Sequence, residues 1–80
     1  MNQEEIIADL KEITEQFPSM YNHFAKLVPL VKAGDSEKLR KKLNQLYGVV
    51  MLCRNYDLGA LIKKLMQKIP KKSEGDSLDS

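Results

Sequence analysis

The sequence has little of the covalent and metal chemistry that stabilises many small proteins. Among its 80 residues there is one cysteine, Cys53, and one histidine, His23. A single cysteine excludes a disulfide within the chain, and the pair is too small a ligand set for a structural zinc site. We expect Cys53 to be a buried apolar residue in a protein kept in a reducing compartment.

Long apolar runs are also missing. The longest unbroken run, residues 49–53, is far shorter than the roughly 20 residues that a membrane-spanning helix needs. The first residues of the chain are acidic, whereas a signal peptide begins with basic residues. We therefore expect a soluble, cytoplasmic protein.

Motifs for catalysis are equally scarce. The four glycines are scattered, so no glycine-rich phosphate loop is formed, and the spacings of a nucleophile elbow are absent. The single histidine flanks an apolar stripe of a predicted helix, where a boundary position is the usual interpretation. The sequence predicts no catalytic site, no cofactor and no metal, and hence a protein that is not an enzyme.

One spacing of apolar residues recurs in four segments, in steps of three and four residues. The four stripes are Ile6, Leu10, Ile13 and Phe17; Met20, Phe24, Leu27 and Val31; Leu39, Leu43, Leu46, Val50 and Cys53; and Leu58, Ile62, Leu65 and Ile69. This spacing is typical of helices that pack lengthwise on one another. It predicts an all-α fold, a small three- to four-helix bundle with one domain over residues 1–70.

Polar residues, glycine and proline mark the ends of these helices. The predicted helices cover residues 3–16, 19–33, 36–54 and 58–69. Asn2 fits an N-cap, as do Asp35 or Ser36 and Asn55 or Asp57, while Gly34 fits a left-handed helix end. Pro29 lies inside the second helix, which we expect to be kinked or broken there. Residues 71–80 are predicted to be a disordered polar tail.

Charge is partitioned along the chain although the net charge is only +2. Residues 1–17 carry a net charge of −4 and residues 73–80 carry −3, whereas residues 18–72 have twelve basic residues against three acidic ones, a net +9. An acidic first helix beside a basic body indicates either charge pairing within the bundle or a basic face for an acidic partner.

The third predicted helix is apolar nearly all round in its second half. A central helix surrounded by the other three would explain this, and so would a surface for a partner helix or for self-association. Aromatic residues, Met and Arg are enriched at interface cores. The predicted partner-binding residues are Tyr47, Met51, Leu52, Arg54 and Tyr56.

Basic residues cluster on the third and fourth predicted helices. The predicted residues for charge steering or nucleic-acid binding are Lys38, Arg40, Lys41, Lys42, Lys63, Lys64 and Lys68. A helix-turn-helix would use the fourth helix to read bases, yet its first turn offers Leu58, Gly59, Ala60 and Leu61, which cannot hydrogen-bond base edges.

The favoured hypothesis is a non-enzymatic protein–protein interaction module, such as an adaptor, an antagonist, a small chaperone or an immunity-type protein. Its partner would be a protein with an acidic or helical surface, or a second copy in a homodimer. The alternative is a small regulator that binds nucleic acid through the basic clusters.

Overall fold

The structure, a computed structural model, describes residues 1–70 as helices joined by short turns. The predicted disordered tail, residues 71–80, lies outside the described residues. The elements are α1 (Gln3–Gln16), a 3-10 turn (Pro18–Met20), α2 (Tyr21–Ala25), α3 (Val28–Ala33), α4 (Ser36–Leu52) and α5 (Tyr56–Gln67). The all-α prediction is confirmed, and residues 1–70 contain no strand.

The second predicted helix is a bent helical segment, residues 18–33. It is divided into the 3-10 turn, α2 and α3, with Lys26 and Leu27 forming the turn between the two short helices. Pro29 lies in the first turn of α3, where a missing backbone N–H costs nothing. The predicted kink or break is therefore present just before the proline, as its clash with the preceding turn requires.

Helices that follow one another in the chain pack against each other. α5 packs along α4, α3 contacts α4, and α1 lies across α2, α3 and α5. These contacts bury one apolar core, and every buried apolar residue lies on a predicted stripe. The buried residues are Ile6, Leu10, Ile13, Phe24, Leu27, Val31, Leu39, Leu43, Val50, Leu58, Ile62, Leu65 and Ile69.

The remaining stripe positions lie at the edge of this core. Phe17, Met20 and Leu46 are partly buried and pack against it. Cys53, however, is exposed, so its predicted burial is wrong. The reason is that α4 ends at Leu52 and Cys53 is only its C-cap, so the stripe has no further turn on which to continue. The second half of α4 is therefore not surrounded on all sides.

Asx side chains begin the three longest helices, as predicted. The backbone N–H of Glu5 donates to Asn2 Oδ1 at 3.1 Å, and that of Lys38 donates to Asp35 Oδ1 at 3.1 Å. The N–H of Leu58 donates to Asn55 Oδ1 at 3.2 Å. Each cap satisfies a backbone donor that the helix itself cannot pair.

No helix among residues 1–70 has both the length and the apolar character that crossing a membrane would take.

Candidate functional site

The predicted partner-binding residues divide into two groups, and the first packs against α5. Tyr47 and Met51 are partly buried on the face of α4 that meets Gly59 of α5. A Cβ atom built on Gly59 would lie 2.7 Å from Met51 Sδ and 3.6 Å from Tyr47 Cε1. The absence of a side chain at Gly59 thus lets α4 and α5 approach closely, and these two residues belong mainly to that contact.

The second group, Leu52 and Tyr56, is exposed at the end of α4 and the start of α5. Leu52 is 86% exposed and Tyr56 60%. Val49, which is not among the predicted partner-binding residues, is 52% exposed. Val49 and Leu52 are three residues apart in one helix and so share a face. The N–H of Asn55 donates to the Val50 carbonyl at 2.9 Å, which holds the start of α5 against the last turn of α4. We call Val49, Leu52, Cys53 and Tyr56 the apolar patch.

Arg54, the last predicted partner-binding residue, is exposed in the turn beside this patch. Its φ is 59°, the one positive φ of a residue other than glycine among residues 1–70. The N–H of Arg54 donates to the Met51 carbonyl at 3.0 Å, and that of Asn55 to the Val50 carbonyl. These two bonds form a Schellman motif, whose left-handed position is usually a glycine.

Two of the seven predicted basic residues bind within the chain. Arg40 Nη1 donates to the carbonyls of Met66 at 2.8 Å and Ile69 at 2.9 Å, at the C-terminal end of α5. The Met66 carbonyl also accepts from the N–H of Ile69 at 3.1 Å. The guanidinium adds a charged side-chain donor at this helix end, where the last carbonyls lack the regular helical donor. The structure thus gives Arg40, a partly buried residue, a contact that holds α4 and α5 together.

Lys68 connects the end of α5 to α1. Its Nζ lies 2.6 Å from Asp9 Oδ2 and 2.8 Å from Glu5 Oε2. Hydrogen bonds to the two carboxylates, that to Asp9 first, raise the pKa of Lys68 to about 12. Part of the negative charge of the first helix is therefore neutralised within the bundle, which is one of the two interpretations that the charge partition left open.

The other five predicted basic residues are exposed. Lys38, Lys41 and Lys42 lie on the first half of α4, and Lys63 and Lys64 lie on α5. None of the five forms an ion pair with another residue of the described segment 1–70. They differ in this from Lys68, whose charge is paired with two carboxylates of α1.

A groove between the bent segment and α4 adds residues that the sequence did not single out. Leu27, Leu30, Leu46 and Val49 line its floor, and Lys26 and Lys42 stand on its two sides. We call this the α3–α4 groove. The shape of the groove depends on where the break at Lys26 and Leu27 places α2. The spacing of the apolar residues does not predict that position. Val49 belongs both to this groove and to the apolar patch.

The described residues hold no group of three or more His, Cys, Asp or Glu side chains that could bind a metal ion. Comparisons of the chain with protein-family models, with curated proteins and with solved structures find no match.

Proposed function

We propose that this protein is a non-enzymatic protein–protein interaction module whose docking surface is the apolar patch. The observation that carries the proposal is the exposure of Leu52, which is 86% exposed and close in sequence to the exposed Val49 and Tyr56, although all three side chains are large and apolar. Burying an exposed leucine in a partner is worth about 1.5–3 kcal/mol. At 86% exposure Leu52 contributes little to the core, and a partner surface would bury it.

The exposed lysines supply the second component of such an interface. Lys38, Lys41 and Lys42 are on the same helix as Val49 and Leu52, so an acidic partner surface would be steered toward the patch. An adaptor, an antagonist, a small chaperone or an immunity-type protein would all work in this way, as would a homodimer. The proposal places the protein in the cytoplasm, where a single unpaired cysteine is compatible with reducing conditions.

Nucleic-acid binding is the alternative, and the geometry supports it less. Arg40 is already bonded to two carbonyls of the chain, and Lys68 to two carboxylates. The first turn of α5, which a helix-turn-helix protein would insert into a groove of DNA, buries Leu58 and Gly59 against α4. The remaining lysines could contact phosphates but would not read a sequence.

The test compares the protein with its Leu52→Glu variant. Because Leu52 is so exposed, this substitution is expected to change the free energy of unfolding by less than about 0.5 kcal/mol. Ala8→Glu is the matched control, since Ala8 is exposed on α1 and outside the patch. We expect cross-linking in the native lysate, and light scattering of the purified protein, to detect a complex that Leu52→Glu loses and Ala8→Glu keeps.

A strict monomer whose cross-linked species are the same in all three proteins would contradict the proposal. A complex that persists in Leu52→Glu would also contradict it, because the docking surface would then lie elsewhere. Retention of duplex DNA on the wild-type protein, with a steep loss on adding salt, would favour the nucleic-acid alternative instead.

A further inference from the structure

The α3–α4 groove is lined by basic residues and by no acidic one. Lys26 and Lys42 face it from opposite walls, with His23 and Gln45 beside them. The groove between α4 and α5 shares this charge, but its Arg40 is already bonded to the carbonyls of Met66 and Ile69. The groove between α1 and α5 is lined by Asp9 and Glu12 as well as by lysines, and the groove between α1 and α2 has both Lys11 and Glu15. No carboxylate of the segment 1–70 lines the α3–α4 groove, so an acidic group from outside this segment would complement its charge.

The floor of the groove provides the matching apolar surface. Leu30 and Leu46 are partly buried and pack against the core, and Val49 continues the same line of α4 to the apolar patch. From Lys42 to Val49, α4 rises about 10 Å, two helical turns. Two turns is the span over which a docked amphipathic helix places its apolar anchors at i, i+4 and i+7.

We propose that the α3–α4 groove binds an acidic amphipathic helix of a partner protein. Its apolar stripe would cover Leu30, Leu46 and Val49, and its flanking carboxylates would meet Lys26 and Lys42 on the two walls. This inference rests on the proposed function and specifies the partner. The lysines select against basic helices, because a like charge placed between two ammonium groups is costly.

A second copy of this chain would fit the α3–α4 groove less well, because the occupant needs both acidic side chains and an exposed apolar stripe. The acidic helix it could offer is α1, whose apolar stripe Ile6, Leu10 and Ile13 is buried in its own core. Two of the α1 carboxylates, those of Glu5 and Asp9, are already bound to Lys68. The exposed face of α1 therefore has charge without an apolar stripe, and the groove needs both.

The test uses a fluorescein-labelled synthetic peptide of about 15 residues, with Leu at i, i+4 and i+7 and Glu on both flanks. A second peptide carries Lys in place of every Glu. Fluorescence anisotropy measures the affinity of each for the full chain. We expect saturable binding of the acidic peptide, and binding of the basic peptide weaker by about tenfold or more.

Charge reversal in the groove locates the binding. The double variant Lys26→Glu/Lys42→Glu is expected to lower the affinity for the acidic peptide by about tenfold or more. It is also expected to restore binding of the basic peptide. Lys63→Glu/Lys64→Glu is the matched control, because it changes the net charge equally on exposed residues outside the groove. It is expected to keep most of the affinity. Amide shifts on titration should centre on Leu30, Leu46 and Val49.

Several outcomes would overturn the inference. Equal losses in the two double variants would show general electrostatic attraction, and no saturable binding of the acidic peptide would show that the groove takes no such helix. A dimer that Lys26→Glu/Lys42→Glu dissociates would assign the groove to a second copy. Leu52 lies outside the groove lining, so Leu52→Glu tests the proposed function separately and either proposal can fail alone.

Discussion

The turns that end α3 and α4 have the same backbone hydrogen bonds but different residues in the left-handed position. After α3, the N–H of Gly34 donates to the Val31 carbonyl and that of Asp35 to the Leu30 carbonyl. After α4, Arg54 and Asn55 repeat this pattern with Met51 and Val50. In both turns the following residue, Asp35 or Asn55, also caps the next helix.

The difference lies in the residue at positive φ. Gly34 has a φ of 71° and Arg54 a φ of 59°. Glycine adopts this conformation without cost, whereas a residue with a Cβ is strained by about 1 kcal/mol. The strained residue, Arg54, is beside Leu52 and Tyr56, the most exposed large apolar residues of the segment 1–70. Local strain concentrates at functional sites, so the comparison points to the same end of α4 as the exposure does.

The end of α5 provides a third case, because it has no left-handed residue. Lys68, its C-cap, keeps a right-handed φ of −87°. Side chains from other helices hold this end instead, with Arg40 on the carbonyls and Glu5 and Asp9 on Lys68. Backbone turns end α3 and α4, whereas charged side chains secure α5, so the helix ends should respond differently to substitution and pH.

The largest effect is expected for Arg40→Met. The substitution keeps much of the packing of the side chain but removes both hydrogen bonds to the carbonyls of Met66 and Ile69. Because the donor is charged and partly buried, we expect a loss of about 2 kcal/mol in the free energy of unfolding. Urea denaturation measures it as a lower midpoint with an unchanged slope. Lys41→Met, at the next and exposed position, is the control and should change stability by less than about 0.5 kcal/mol. Equal effects would contradict the capping role.

A smaller effect, of opposite sign at the two turns, is expected when their left-handed residues are exchanged. Gly34→Arg should destabilise the protein by about 1 kcal/mol through backbone strain. A Cβ there would have only one neighbour within 4 Å, Gln3 Nε2 at 3.8 Å, so no clash adds to the cost. Arg54→Gly should stabilise it by roughly 0.5 kcal/mol, because the greater freedom of glycine in the unfolded chain offsets part of the relief. Urea denaturation measures both variants.

Arg54→Ala separates the backbone from the side chain in this exchange. It removes the guanidinium but retains the Cβ, so the strain remains and stability should stay near that of the wild type. If Arg54→Ala stabilises as much as Arg54→Gly, the side chain is responsible rather than the positive φ. If both members of the exchange destabilise, Arg54 has a stabilising contact that outweighs its strain.

The core could be predicted from the sequence because helical spacing fixes which residues share a face. Every buried apolar residue came from the four stripes, and the caps Asn2, Asp35 and Asn55 followed from local chemistry. Local patterns extend over a few residues, and they predict those features that depend only on nearby residues. Cys53 is an exception, because the helix ends before it and the stripe therefore does not continue to this residue.

The candidate site depends on contacts between distant residues and could be predicted only in part. Met51 and Leu52 are adjacent and similarly apolar, but Gly59 of α5 receives Met51 and leaves Leu52 exposed. Arg40 and Lys41 are adjacent and similarly charged, but only Arg40 reaches the end of α5. Spacing within one helix cannot tell which of two adjacent residues is exposed, because the helix that packs against them determines which one is in contact.

The smallest effect is the pH dependence that Lys68 gives to the end of α5. Its pKa is raised from 10.5 to about 12 in the folded state by hydrogen bonds to Asp9 and Glu5. A folded-state pKa above the unfolded value means that the protonated amine favours folding. The contribution is complete below about pH 10.5 and is lost as the pH rises through about 12. Lys68→Met should therefore be less stable than the wild type at neutral pH, and the difference should vanish above that range.

The measurement is urea denaturation of both proteins across this range, and the quantity of interest is their difference. Effects of pH that are common to both proteins cancel in this difference. Lys63→Met is the control, because Lys63 is exposed on α5 and forms no ion pair with another residue of 1–70. Its difference from the wild type should not change with pH. A difference for Lys68→Met that persists above about pH 12 would show that the ammonium group is not what holds α5 to α1. At Lys68, the contrast between the end of α5 and the two backbone turns would then no longer be electrostatic.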